Sequence, residues 1–291
     1  MLIEEFTGTW CQFCPQGIVT MDKLRETYTD GSVIPVAVHS GDEMKATSFS
    51  EIDRNYSDGY PSAIMNRMVY IEYIYPTEYC IEEIDAFRAL PTPSKVTATA
   101  HFNETRNGVI FNTKTSFCFD NANAADEYML SFAITEDNVG PYKQNSAFGS
   151  QPAGTLPGWD NGKPSSIETI YNDVARQINN VTTGSIPKSV EAGKEYEYTY
   201  ELKFKAATKI SNVENLNAIV YLINRKTNVV ENAYMIKSED LLSSGIEEIE
   251  ATDNTNAPVE YFNLQGMRVK EPANGLYIRR QGSDTRKVFV K

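Results

Sequence analysis

Two cysteines near the start of the chain are the residues best suited to chemistry. Cys11 and Cys14 are separated by two residues and lie between an apolar stretch and apolar residues at helical spacing. Cysteines three apart at the start of a helix can bring their sulfurs within disulfide distance. The helix dipole and the free N–H groups there favour a thiolate on the first cysteine and lower its pKa. The spacing therefore predicts thiol–disulfide exchange, with the second thiol resolving a mixed disulfide.

Two alternatives remain open for this pair. A single C-x-x-C could be half of a zinc site, or it could lie in a fold that has lost its redox role. The chain has two further cysteines, Cys80 and Cys118, and its histidines His39 and His101 are isolated in the sequence. We interpret Cys80 as a buried, inert thiol and leave its pairing with Cys118 open. We expect no metal and no other cofactor, because the cysteine pair is itself the redox centre.

Short strands and helices alternate around the pair. Residues 2–6 predict a strand, and Pro15 suits the first turn of the helix that follows. Later segments give the order β-α-β-α-β-β-α, with strands at 33–38, 63–65 and 69–74, and helices at 48–56 and 77–90. These elements predict an α/β domain over residues 1–92, with the cysteines at a strand-to-helix junction.

Beyond Pro93 the hydrophobic period changes from helical spacing to two. Residues 96–102 and 196–204 alternate cleanly, and further strands are expected near 109–119, 128–134, 218–223 and 229–236. A long stretch rich in Gly, Pro and Asn, residues 136–166, is expected to have a purpose, and a short helix is expected at 167–178. The pattern predicts a β-sandwich at 95–243, then a linker at 244–257 and a small β module at 258–291.

Bulk properties limit the possible partners. The net charge of −12 makes nucleic acid an unsuitable partner, since an acidic surface repels phosphates. No apolar run reaches the ~20 residues that cross a bilayer, so we expect no transmembrane segment. We also find no basic and apolar stretch typical of a signal peptide in the chain as given.

The first fifteen residues resemble a thioredoxin-family active site. The resemblance rests on Trp10–Pro15, following an apolar strand and preceding a helix. It implies that Cys11 attacks, that Cys14 resolves, that Glu5 relays protons and that Pro61 is a cis-proline shaping the substrate groove. It also implies a groove lined by four neighbouring residues: Trp10, Gln12, Phe13 and Tyr60. Taken alone, Glu5 could instead be a solvated strand-edge carboxylate, and Pro61 a trans loop proline.

Two further resemblances concern the source and the tail. Glu4–Pro15 is similar to the opening of a thioredoxin-related outer-membrane protein family of Bacteroidetes. The tail resembles the C-terminal sorting modules of the type IX secretion system in three stretches: residues 263–269, 274–278 and 287–291. The alternative for the tail is a plain structural β module.

These observations predict the fold class α/β plus all-β: a thioredoxin-like domain, an immunoglobulin-like β-sandwich and a small C-terminal β module. The first functional hypothesis is an extracytoplasmic thiol–disulfide oxidoreductase in the periplasm, at the outer membrane or on the cell surface. Its expected partners are protein thiols and disulfides and a redox partner protein. The second hypothesis is a cell-surface binding or structural protein, whose β-sandwich recognises a partner while the N-terminal domain is scaffold.

Overall fold

The computed structural model describes residues 1–243, 258–263, 266–281 and 284–290. Five α-helices are found in these ranges: α1 Pro15–Thr27, α2 Ser50–Tyr56, α3 Thr77–Arg88, α4 Ala124–Glu127 and α5 Ser238–Ser243. Strands before residue 120 are β1 Leu2–Thr7, β2 Ile34–His39, β3 Ser62–Met65, β4 Val69–Tyr70, β5 Ser94–Phe102 and β6 Gly108–Phe117. Strands from there to residue 236 are β7 Tyr128–Glu136, β8 Val139–Asn145, β9 Ser166–Tyr171, β10 Val174–Val181, β11 Glu195–Lys203, β12 Leu216–Asn224 and β13 Val230–Ile236. The remaining strands are β14 Val259–Phe262, β15 Arg268–Val269, β16 Gly275–Gln281 and β17 Asp284–Val290.

One eight-stranded sheet organises residues 1–241. Its order is β13-β12-β7-β10-β2-β1-β3-β4, so strands from both halves of this range lie side by side. β1 pairs in parallel with β2 and antiparallel with β3. β2 in turn pairs in parallel with β10, where Ala37 lies opposite Val174. Every residue of β1 and β2 is buried, which agrees with strands that are covered on both faces.

The predicted fold class is wrong. The described residues contain seventeen strands and only five α-helices, and no separate α/β domain of the thioredoxin type is formed. β1 to β4 do not complete a sheet of their own, because β10 continues the sheet beyond β2. The core on one face is correspondingly shared: Leu2, Phe6 and Val36 lie in one cluster with Ile219 and Tyr221 of β12. The domain boundaries drawn from the sequence remain predictions.

Sheet-on-sheet packing forms a second core. A three-stranded sheet of order β11-β6-β5 covers the eight-stranded sheet near β7 and β12. Phe111 of β6 and Phe132 of β7 meet with ring centroids 4.8 Å apart, and both side chains are fully buried. β11 is more exposed, and its Tyr and Glu residues alternate as a half-buried strand requires. The β-rich content of this region therefore agrees with the alternation in the sequence.

The predicted helix at residues 167–178 is also wrong. The segment forms β9 and β10, joined by a turn in which Asp173 has a φ of 56°. β8 and β9 form a two-stranded antiparallel hairpin, with Tyr142 opposite Thr169. The residues between them, 146–165, include Trp159, whose side chain is buried. The long Gly-, Pro- and Asn-rich stretch thus belongs to a hairpin rather than to a simple connection.

Two buried ion pairs brace the large sheet. Arg67, just after β3, donates two hydrogen bonds to the Glu4 carboxylate at 2.7 and 2.8 Å. Arg176 of β10 donates to Glu136 of β7 at 2.7 Å. All four side chains are almost completely buried. Each charge therefore depends on its partner, because an unpaired charge is costly in the protein interior.

The second compact unit, residues 242–291, has a small four-stranded sheet. Its order is β15-β14-β16-β17, and all its pairings are antiparallel. Glu260 of β14 forms an ion pair with Arg268 at 3.1 Å and a second with Arg280. The predicted linker 244–257 and three residues of the sorting-module resemblance, Leu264, Gln265 and Lys291, lie outside the described residues. Within the described ranges, no helix is long and apolar enough to cross a membrane.

Candidate functional site

Cys11 and Cys14 form a disulfide at the junction between β1 and α1. Their Cα atoms are 5.4 Å apart, within the usual range for a disulfide. Cys14 is the N-cap residue of α1, and Pro15 occupies the first turn, where no intrahelical bond is lost. Cys14 is completely buried, whereas Cys11 keeps 5% of its surface exposed. Cys11 therefore provides the sulfur nearer to solvent.

Glu5 lies in the middle of β1, with Ala37 and Ala63 opposite it on the neighbouring strands. Its side chain is buried, and Oε1 has no hydrogen-bond partner among the described residues. Burial raises the pKa of Glu5 to about 8, so the carboxyl is mostly protonated at neutral pH. A Cβ atom at Gly17 would overlap Glu5 Oε1, so the carboxyl lies against the first turns of α1. A proton donor and acceptor is thus placed beside the helix that begins after Cys14.

The end of β2 contributes a buried histidine–aspartate pair. His39 Nδ1 lies 2.8 Å from Asp42 Oδ2, and the same oxygen accepts a hydrogen bond from Thr9 N at 2.9 Å. Burial alone would raise the pKa of Asp42, but hydrogen bonds from His39 and the backbone outweigh it and lower that pKa. The pair therefore tethers the segment that leads into Cys11. His39 is the last residue of β2, and its side chain is buried.

A buried amide on the β8–β9 hairpin holds the cysteine loop from the other side. Gln144 Nε2 donates to Cys11 O at 2.8 Å and to Gly8 O at 3.4 Å. Its Oε1 accepts a hydrogen bond from Tyr171 Oη at 2.9 Å. Gln144 is completely buried, so both ends of its amide are satisfied inside the protein. Gln144 therefore fixes the main chain at the more exposed cysteine.

The residues after Gln144 continue this contact along the loop. Asn145 N donates to Thr9 O at 2.8 Å, and Asn145 Nδ2 donates to Trp10 O at 3.2 Å. Ala147 N donates to Gln12 O at 2.9 Å. None of these hairpin residues was predicted as part of the site. The available signal was the unusual length and composition of residues 136–166, which did not indicate what the segment contacts.

Cys11 opens onto a groove of about 550 Å³. One wall is aromatic: Trp10 is 48% exposed, Phe13 is 49% exposed, and the Trp10 and Tyr60 rings meet edge to face at 5.2 Å. Cys11 Sγ lies 3.4 Å from Tyr60 O. The four predicted groove residues all line it: Trp10, Gln12, Phe13 and Tyr60.

Pro61 follows Tyr60 through a cis peptide bond and is not among the groove-lining residues. The structure thus brings Cys11, Cys14 and the four groove residues together, with Glu5 against the first turns of α1. The functional roles assigned to these residues from the sequence remain predictions.

The opposite wall of the groove comes from the β8–β9 hairpin. Asn145, Ser146 and Ser165 line it, and Phe148 packs edge to face on Phe13 at 6.2 Å. Ser165 is exposed, and its hydroxyl makes no hydrogen bond within the described ranges. The groove therefore has an aromatic wall from the cysteine region and a polar wall from residues more than a hundred positions later.

The remaining cysteines do not join the site. Cys80 is buried in α3, and burial raises its pKa to about 12; Cys118 is an exposed free thiol. Cys80 and Cys118 are therefore not paired. For the zinc alternative, the described part of the chain contains no group of three or more His, Cys, Asp or Glu side chains arranged to hold a metal.

Comparisons with known proteins give a likeness in fold. No protein-family profile matches the chain, and no curated protein matches it either. Among solved structures, HBP35 of Porphyromonas gingivalis is similar over 100% of this chain and 98% of its own, with 16% identity and a TM-score of 0.56. A domain of the outer membrane lipoprotein Omp28 from Porphyromonas gingivalis covers 51% of this chain and 90% of its own, with 14% identity and a TM-score of 0.25. At 16% identity, the first comparison bears on the fold alone.

Proposed function

We propose that Cys11 and Cys14 form a thiol–disulfide exchange site. The observation that carries the proposal is a disulfide whose outer sulfur, on Cys11, lines an open groove while Cys14 is sealed behind it. An incoming thiolate can reach Cys11 and not Cys14. Glu5, largely protonated at neutral pH, supplies a proton beside α1. These features support exchange with the substrate held at Cys11.

Bonds and electrons balance between the substrate and the cysteine pair, so the exchange needs no further reactant. A substrate thiolate attacks Cys11 Sγ, the Cys11–Cys14 bond breaks, and Cys14 leaves as a thiolate that takes the Glu5 proton. A second thiolate of the substrate then attacks the sulfur bound to Cys11 and releases Cys11 as a thiolate. Two substrate thiols become one disulfide, and the cysteine pair gains two electrons. The reverse sequence reduces a substrate disulfide.

Redox equilibration of the intact chain tests this proposal. The protein is incubated in a series of oxidised and reduced dithiothreitol, alkylated and analysed by mass spectrometry. We expect reversible formation of the Cys11–Cys14 disulfide and loss of insulin reduction in Cys11→Ser. The matched control is Cys118→Ser, which removes an exposed thiol distant in sequence and should leave activity unchanged. A pair that never cycles, or insulin reduction that survives in Cys11→Ser, would refute exchange.

A second candidate function is cell-surface binding or structural support. The whole-chain likeness in fold to HBP35 of Porphyromonas gingivalis supports this candidate. The source of that protein also fits the Bacteroidetes surface family implied by the sequence resemblance. The half-exposed rings of Trp10 and Phe13 provide apolar surface suited to a partner. A Cys11–Cys14 disulfide that does not exchange, in a protein that binds a partner stably, would favour this function.

Under either function, we propose that the protein acts outside the cytoplasm. A disulfide between Cys11 and Cys14 persists most readily in an oxidising compartment. We extend the proposal to the tail, with residues 258–291 acting as a sorting module for export. Expression in a Bacteroidetes host with and without residues 258–291 tests this, since the shortened chain should then remain inside the cell envelope. Equal release of both chains to the surface would refute the sorting role.

A further inference from the structure

The groove at Cys11 has no charged residue in its lining, although 23% of the chain is charged. Its aromatic wall offers the exposed rings of Trp10 and Phe13. Its opposite wall offers the side chains of Asn145, Ser146 and Ser165. A charged group placed between these walls would lose water without gaining an opposite charge, which is unfavourable. An apolar or neutral group would instead cover the exposed rings.

Hydrogen bonds hold the polar wall of the groove in place. Main-chain hydrogen bonds fix it to the cysteine loop, from Asn145 N to Thr9 O and from Ala147 N to Gln12 O. Ser146 N also donates to Ser165 O at 2.9 Å, which joins the two ends of the β8–β9 connection at the groove. The Ser165 hydroxyl, with no bond to the described part of the chain, can pair with a polypeptide main chain instead. The hairpin wall is therefore fixed in position, and the Ser165 hydroxyl remains available to a bound polypeptide.

We propose that the groove selects a polypeptide segment whose residues beside the reacting cysteine are uncharged, and that Ser165 sits where this selection is made. This inference rests on the exchange function proposed above and names its substrate class. The segment lies between the two walls with its cysteine at Cys11 Sγ. Small charged disulfides of the glutathione type are disfavoured, because their carboxylates meet no cation in the groove lining.

The test compares exchange rates of the full chain with three cysteine peptides. The peptides are identical except that leucine, lysine or glutamate flanks the cysteine on both sides. We expect the leucine peptide to react about tenfold faster than either charged peptide, a ratio typical of one well-matched contact. Oxidised glutathione, tested against the reduced protein, should be slower than a neutral peptide disulfide of similar size. Equal rates for the three peptides would overturn the inference.

Charge substitutions at Ser165 sharpen the test. Ser165→Glu should favour the lysine peptide and Ser165→Lys the glutamate peptide, each by several-fold and in opposite directions. The matched control is Ser150→Glu, which adds the same charge at an exposed position that does not line the groove and should leave the wild-type order unchanged. Ser165 variants that keep the wild-type order would overturn the assignment.

The rate with dithiothreitol separates the two proposals. Dithiothreitol is small and neutral, so it should reduce the wild type and the Ser150→Glu control at similar rates. A pair that dithiothreitol does not cycle would refute the exchange function itself. A cycling pair without peptide preference would refute only the selection by the groove.

Discussion

Replacing the buried carboxyl in β1 should change how stability depends on pH. Burial raises the pKa of Glu5 from 4.5 to about 8, so between these values the folded protein keeps a proton that the unfolded chain has lost. Stability from this group is thus fully present below about pH 4.5, falls as pH rises and levels off above about pH 8. The slope approaches about 1.4 kcal/mol per pH unit, which amounts to a few kcal/mol over the interval.

The variant Glu5→Gln removes this titration while keeping nearly the same shape. The free energy of unfolding is measured with urea at pH 5, 6, 7 and 8 for the oxidised wild type and the variant. We expect the variant to gain stability relative to the wild type as pH rises, by about 1 kcal/mol per unit. Glu78→Gln, at an exposed position in α3, controls for the change of charge alone. A stability difference that stays flat, or that moves the opposite way with pH, would refute the buried protonated carboxyl.

Three further predictions follow from packing and exposure. Arg67→Met leaves the Glu4 carboxylate buried and unpaired, so urea unfolding should show a loss of about 3–5 kcal/mol, and Glu4→Gln added to it should recover part of that loss. Iodoacetamide should label Cys118 in the native protein and Cys80 only after denaturation, because the Cys80 thiol is buried and its pKa is raised. Peptide mass spectrometry measures the labelling, and labelling of Cys80 in the native protein would contradict the prediction. A fragment of residues 1–92 should lack a stable fold by circular dichroism, because its core is completed by residues of β7, β10 and β12; a cooperative transition in the fragment would count against a shared sheet.

Local patterns were sufficient to predict most elements of the first ninety residues. Helical spacing after Pro15 and the apolar run at 33–38 correspond to α1 and β2. The strict alternation at 196–204 likewise corresponds to β11. These signals are local, since each arises from which side of one element faces the core. They do not contain the information on which strands lie side by side.

The fold class failed where pairing is long-range. β2 and β10 meet at Ala37 and Val174, residues far apart in the chain, and no periodicity predicts that contact. The helix predicted at residues 167–178 was wrong for a related reason. Ile167, Ile170 and Tyr171 have helical spacing, while the start of β10 is continuously buried and shows no alternation. A strand covered on both faces resembles a buried helix when only its apolar residues are considered.

The candidate site likewise combines residues that are local in sequence with residues that are distant. Residues close to the cysteines in sequence could be proposed from the motif, whereas Gln144 and Ser165 come from a hairpin that the sequence did not predict. Their contacts form only after β8 and β9 fold back onto the cysteine loop. Long-range contributions of this kind are invisible to motif spacing, even when the length of a segment suggests that it has a role.

The two proposed functions depend on the same face of the molecule. The exposed rings of Trp10 and Phe13 stay beside Cys11 because the hairpin and Asp42 hold the loop main chain from two sides. A loop held in this way offers a preformed surface, and preformed surfaces lose less entropy when they bind. Binding in the groove would therefore survive if the disulfide never cycled, whereas exchange without binding would lack selectivity. The variant Cys11→Ser/Cys14→Ser cannot exchange disulfides. If it still binds the leucine peptide, recognition by the groove is separable from electron transfer. If peptide binding is lost as well, the groove depends on the disulfide.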